Sequence, residues 1–171
     1  MWDFRCLANL PDESRQPRVC SFQKEGVDVQ RKVAGILEEK GSEVWSVTPD
    51  DSVFRALEAM AEHNVGAVLV LDGDELSGIL TERDYARKVK LRALGSNETP
   101  VGQIMTTIVH TVPPTATVAE CMQLMTDERV RHLPVVDEGR LVGVVSIGDV
   151  VKAMIAQQRD LIADLERYIT G

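Results

Sequence analysis

The sequence predicts an α/β (α+β) fold of two tandem β-α-β-β-α repeats, packed face to face about a pseudo-twofold axis. Three observations carry that expectation. Sliding the 171-residue chain along itself by 65 positions lays 47–84 on 112–149 without a gap, and ten of the 38 pairs are identical. The identities include Pro49/Pro114, Gly78/Gly143 and Asp84/Asp149, which apolar periodicity alone would not bring into register. Finally, each copy shows helical spacing followed by two short apolar runs split by a tight turn.

The elements follow in order. Residues 1–30 match nothing in the repeat and have few apolar residues in phase, so a loosely ordered extension is expected there. A short segment leads into each copy, with Val33 and Ile36 resembling Val101 and Ile104 at an offset of 68. Ser52 and Thr117 are placed to cap helices running to about His63 and Glu128. Val53, Ala56, Leu57 and Met60 keep the spacing of a buried stripe. Strands are expected at 67–71 and 76–80 around Asp72-Gly73-Asp74, and at 133–136 and 141–145 around Glu138-Gly139. Thr81 and Ser146 then open a further helix in each copy. The expected division is 31–92 for the first repeat, 93–100 for a linker with Gly95, Ser96 and Asn97, and 101–157 for the second repeat. A C-terminal helix over 158–171 completes it. Apolar residues from Val151 through Ile155, Leu161, Ile162 and Leu165 to Ile169 hold helical spacing beyond what their own repeat needs to cover. That helix either packs back on its chain or joins two copies in a homodimer.

Composition narrows the function. Apolar residues are 44% and charged residues 27%, with a net charge of −8 and scattered basic residues. No continuous basic surface is present to displace counterions, so nucleic acid is not an expected partner. No apolar run is long enough to span a bilayer, so no membrane is expected. Cys6, Cys20 and Cys121 are odd in number and irregularly spaced, which fits a reducing, cytoplasmic home and neither a disulfide framework nor a metal site. An organellar home stays open. His63, His110 and His132 stand apart, and Cys121 replaces Ala56 on the helical stripe as a core residue would. Nothing is assembled for catalysis.

Two segments remain as chemistry-bearing, 78–84 and 143–149. Each passes from a buried strand into a helix start, with Thr81 or Ser146 followed three positions later by Asp84 or Asp149. As structure, this is a capping box that satisfies free backbone N–H groups. As a site, it offers a helix N-terminus and a hydroxyl to a phosphate, and a carboxylate to both hydroxyls of a ribose. The residues alone leave both readings open.

The duplicated unit, closed in both copies by G-h-h-[ST]-x-x-D, resembles the CBS domain pair, or Bateman module, in its small stand-alone form. That resemblance covers 33 to about 157. It implies a non-catalytic regulatory or energy-sensing module that binds an adenosine nucleotide between its repeats and signals to a separate protein. AMP leads the candidates, followed by ADP, ATP, NAD(H) and S-adenosylmethionine. A ligand-free interaction scaffold is the alternative. The resemblance further implies that Asp84 and Asp149 hold ribose and that Thr81 and Ser146 lie beside phosphates. Val47, Ala67, Val112 and Pro134 would contact the base. Arg131 and His132 would meet the phosphates at the module centre. Copy one has Gly66 and Ala67 at the last two positions, so the two clefts are expected to differ.

Overall fold

The structure is a computed structural model that describes residues 31–170; the expected extension, 1–30, lies outside the described residues. Each repeat forms a small sheet with a helix packed on it. In the first, β1 (Ser46–Val47) runs parallel to β2 (Ala67–Asp72), which pairs antiparallel with β3 (Glu75–Thr81), and α2 (Val53–Glu62) connects β1 to β2. In the second, α4 (Val118–Asp127) precedes the hairpin of β4 (His132–Asp137) and β5 (Arg140–Ser146). The strand equivalent to β1 shrinks there to one parallel bridge, Val112 to Val135. In the first repeat the Leu69 N–H donates to the Trp45 carbonyl, and Pro134, at the equivalent position, has no N–H to make that bond.

The local signals act as read. Ser52 accepts from the Arg55 N–H, and Thr117 forms a reciprocal capping box with Glu120. Helices α2 and α4 both end on a left-handed residue, Asn64 at φ 52° and Arg129 at φ 55°. The hairpin turns differ. Only Gly73 takes positive φ in the first, whereas Glu138 and Gly139 both do in the second, as a I′ turn requires. Both hairpins carry an irregularity at the same repeat position, between Val70 and Leu71 and between Val135 and Val136.

The closing helices diverge. After Thr81, one helical turn, α3 (Glu82–Asp84), passes into a π-helical stretch (Tyr85–Val89) and a 3₁₀ turn (Lys90–Arg92). The Lys90 N–H reaches the carbonyls of both Ala86 and Tyr85 there. After Ser146, α5 (Ile147–Thr170) continues unbroken for 24 residues, a length of about 36 Å.

The leader segments cross over. Helix α1 (Val33–Lys40) precedes the first repeat but buries Val33 and Ile36 in the core of the second, with Met125, Leu133 and Val145. The segment before the second repeat buries Val101 and Ile104 in the core of the first, with Val68, Val70 and Leu80. The backbone bonds are matched. Val33 N–H donates to Ala116 and Ala34 N–H to Pro114, while Val101 N–H donates to Asp51 and Gly102 N–H to Pro49.

This crossing explains the repeated glycine. A Cβ on Gly143 would sit 2.8 Å from Leu37 Cδ2, and one on Gly78 would sit 2.7 Å from Met105 Sδ and 3.0 Å from the Thr106 carbonyl oxygen. Each glycine is the place where the other repeat's leader passes over a strand. Fully buried Leu80 in one core, and Met125 and Leu133 in the other, anchor the two repeats, each contributing about 1.5–3 kcal/mol by transfer from water.

Candidate functional site, two clefts between the repeats

Both strand-to-helix segments fold as reciprocal boxes. The Thr81 N–H and hydroxyl donate to Asp84 Oδ2 at 3.1 and 2.6 Å, and the Asp84 N–H returns to Thr81 Oγ1 at 3.1 Å. The Ser146 N–H and hydroxyl donate to Asp149 Oδ2, both at 2.8 Å, and the Asp149 N–H returns at 3.3 Å. The capping reading is therefore true of this structure, and each carboxylate has further partners.

Those partners differ. Lys88, one turn along the same segment, meets Asp84 Oδ1 at 2.8 Å, and Thr106 of the crossing leader donates to that oxygen at 3.3 Å. Asp149 instead receives Lys40 Nζ at 2.9 Å, delivered from the end of α1. Burial pushes both carboxyls up. For Asp84 the bonds from Lys88 and Thr81 and the charge of Lys88 outweigh it. For Asp149 the Ser146 N–H, the bond from Lys40, the Ser146 hydroxyl and the charge of Lys40 do so. Both carboxyls end below their ordinary value, ready as acceptors.

Each aspartate borders a cavity completed by the other repeat. The cavity at Asp149, of about 370 Å³, is walled by Ser146 and Val144 on one side and by Trp45, Gly66, Ala67 and Leu69 on the other. The cavity at Asp84, of about 360 Å³, is walled by Thr81 and Ile79 together with Val109, Val130 and Arg131. His132 lines both, as do Gly66 and Ile79. It is half-buried at the start of β4, and burial lowers its pKa. Asp149 and Glu82 act in the raising direction, and Lys40 and Arg131 oppose them.

Most of the residues singled out from sequence meet in these two clefts: Thr81, Asp84 and Arg131 in one, Ala67, Ser146 and Asp149 in the other, and His132 between them. Three others, expected as base contacts, are not among the residues that line the clefts. Val47 and Val112 are 7% and 5% exposed within the two cores, and neither lines a cleft. Pro134 is buried in β4 with its carbonyl accepting from the Val112 N–H. Val47 and Val112 fall on core-facing positions, whereas Pro134 alternates with the core residues Leu133 and Val135 and shares the strand face of His132.

Several cleft residues escaped the sequence reading. Lys40 and Thr106 come from the exchanged leaders, so repeat matching could not place them against the partner's aspartate. Trp45 and His110 are equivalent at the 65-residue offset, as are His63 and Glu128. In copy one the pair forms a parallel stack, Trp45 on His63, with centroids 3.4 Å apart. In copy two it is an ion-pair contact, His110 Nε2 to Glu128 Oε2 at 3.5 Å. No sequence signal singled these pairs out, since 28 of the 38 aligned positions differ between the copies.

Two exchanged α/β repeats, with a capped aspartate at each of two related clefts, define a duplicated α/β module with paired clefts between its halves. Comparison with known proteins identifies its family. Residues 41–91 and 101–156 match the CBS domain, and the chain belongs to the CBS-domain family. It is similar to the mitochondrial CBS domain-containing protein CBSX3 of Arabidopsis thaliana, 40% identical over 169 residues that span 93% of this chain and 80% of that one. Among solved structures, a CBS-domain protein of Burkholderia ambifaria MC40-6 matches with a TM-score of 0.73 and 51% identity, over 75% of this chain and 96% of that chain. The CBS domain protein PAE2072 of Pyrobaculum aerophilum, solved in complex with AMP, matches with a TM-score of 0.62 and 27% identity, over 70% of this chain and 89% of that chain. Two repeats in a small CBS-domain protein of regulatory type are thus shown.

Proposed function

We propose that the protein is a non-catalytic sensor that binds an adenosine nucleotide in its two clefts and passes the occupancy to a separate partner protein. The observation that carries this is the pairing, in each cleft, of a deprotonated, hydroxyl-braced aspartate with cationic side chains beside it. An anionic acceptor suits a ribose diol, and Lys40, Arg131 and His132 suit phosphate. The AMP complex of the Pyrobaculum aerophilum relative supports AMP as the first ligand to test. ADP, ATP, NAD(H) and S-adenosylmethionine share the diol. No cluster of three His, Cys, Asp or Glu able to hold a metal occurs among the described residues, and no described helix is long and apolar enough to cross a membrane. The repeat boundaries 31–92 and 101–157, a homodimer joined through α5 and a reducing cytoplasmic setting belong to the same proposal.

A second reading, the ligand-free scaffold, draws on one observation: both capping boxes are complete without a ligand. Thermal unfolding against the nucleotide panel separates the two. A ligand at about 100 times its dissociation constant adds about 2.7 kcal/mol of stability. The sensor reading expects AMP to raise the midpoint and 2′-deoxy-AMP to fail, with the AMP shift lost in the double variant Asp84→Asn, Asp149→Asn. If no nucleotide moves the midpoint, the scaffold stands.

A further inference from the structure

The two clefts carry opposite charge, and the difference lies in one short segment of each repeat. Where α2 hands over to β2, copy one has Asn64, Gly66 and Ala67, and these line the Asp149 cleft. The equivalent residues where α4 hands over to β4 are Arg129, Arg131 and His132, and these line the Asp84 cleft. Arg83 and His110 add to the same wall, against the carboxylates of Glu82 and Asp84. The Asp149 cleft has Lys40 as its one lining lysine or arginine, already bonded to Asp149, and also holds Glu43. Formal charge with neutral histidines is therefore +1 in the Asp84 cleft, from Arg83, Arg129 and Arg131 against Glu82 and Asp84, and −1 in the other, from Lys40 against Glu43 and Asp149.

The backbone at Arg129 sharpens this contrast. Positions 64 and 129 both hold the left-handed conformation that ends their helices. Asparagine adopts it readily, whereas arginine does so at a cost. Among the described residues no carboxylate lies within 4.0 Å of the guanidinium of Arg83, Arg129 or Arg131, so all three remain available to a ligand.

We infer that the clefts divide ligands by phosphate number: the Asp84 cleft takes a nucleoside di- or triphosphate, and the Asp149 cleft takes a monophosphate or a neutral nucleoside. This rests on the nucleotide reading above. Three guanidiniums match the extra oxygens of a second and third phosphate, and the Asp149 cleft would add repulsion with each added charge.

Calorimetric titration with ADP and AMP tests it, one cleft at a time. In Asp149→Asn, which leaves the Asp84 cleft intact, ADP should bind about ten-fold or more tighter than AMP. In Asp84→Asn the preference should vanish or invert. Arg129→Asn combined with Arg131→Gly, which installs copy one's own residues and suits the left-handed position, should remove the ADP preference while AMP still binds the Asp149 cleft. The same ADP/AMP ratio in both aspartate variants, or a preference that survives the arginine replacements, overturns the inference while leaving the nucleotide reading intact. Absence of any nucleotide binding to the unmodified chain overturns both. Inorganic pyrophosphate serves as the remaining arm. Binding as tight as ADP and indifferent to Asp84→Asn would make the cleft a free-polyphosphate site and overturn the nucleotide assignment.

Discussion

Lys40 and Asp149 lie 109 residues apart in the chain and 2.9 Å apart in space. The contact exists because α1 crosses to the second repeat, so the helix that leads into copy one closes the carboxylate that ends copy two. Both side chains are partly exposed, and after solvent screening the pair contributes about 1 kcal/mol or less to stability. Its larger consequence is for binding. In the proposed nucleotide reading, a ribose engaging Asp149 would compete with Lys40 for the carboxylate and free the ammonium group for the phosphate.

Lys40→Met is therefore expected to lower the unfolding midpoint slightly and to weaken nucleotide binding in the Asp149 cleft by about ten-fold. Measured in the Asp84→Asn background, the loss should be plain. Measured in the Asp149→Asn background, Lys40→Met should change nothing, because the other cleft relies on Lys88. An equal loss in both backgrounds would show that Lys40 acts through the fold and not through its own cleft.

Stability should fall with acid in two stages. His132 has a lowered folded pKa, so below the unfolded value of about 6.5 the unfolded chain binds the proton first, and stability drops as pH falls through that window. Asp84 and Asp149 also have lowered folded values. Their contribution is complete above the unfolded value of about 3.9 and is lost as pH falls through the folded values. Urea midpoints from pH 8 down to pH 3 would trace both stages, and His132→Asn should flatten the upper one alone. A bound phosphate should raise the pKa of His132, so binding near pH 6 should take up a proton, visible as a buffer-dependent heat.

How much of this was legible in the sequence depends on the range of the signal. Caps, turns and hairpins are local, and Ser52, Thr117, Gly73 and Gly139 announced them correctly. The repeat fixed the fold class and both aspartates. The exchange of leaders was invisible, because Val33/Val101 and Ile36/Ile104 show that the segments are related without saying which core each one enters. Their displaced offset, 68 instead of 65, marks where the leaders leave the repeat's register. The candidate base contacts were less legible for a different reason. Val47, Val112 and Pro134 were chosen for being apolar, and apolar strand residues face the core as readily as a cleft.

The two glycines under the crossing leaders should differ in cost. At Gly143 an added methyl meets only the end of the Leu37 side chain, which can rotate aside. At Gly78 it meets the Thr106 carbonyl as well as Met105, and backbone paired with Ile79 on both sides cannot retreat. Gly78→Ala is expected to cost about 2–3 kcal/mol and Gly143→Ala about 1 kcal/mol. Denaturant midpoints at constant slope would measure the difference. Equal costs would mean that the crossing at Gly78 is looser than its hydrogen bonds imply.

The outer part of α5 supplies the last prediction. Leu161, Ile162 and Leu165 are 60, 55 and 53% exposed, and Ile169 is 80% exposed. With Val151 and Ile155 they share one helix face, in two groups at spacings of three and four parted by Gln158 and Arg159, the pattern of a helix that buries one face. Polar residues, Asp160, Asp164 and Arg167 among them, occupy the other side. Arg159 and Glu166 flank the stripe on a single edge, seven residues apart, so two antiparallel copies would set each arginine beside the partner's glutamate, whereas parallel copies would not. The proposed homodimer should then depend on this stripe. Ile162→Glu with Leu165→Glu is expected to shift the protein from dimer to monomer by light scattering, with little change in the stability of the repeats, whose cores lie before residue 158. A monomeric parent chain at the same concentration would refute the dimer. A dimer that persists in the variant would place the joint elsewhere on the module.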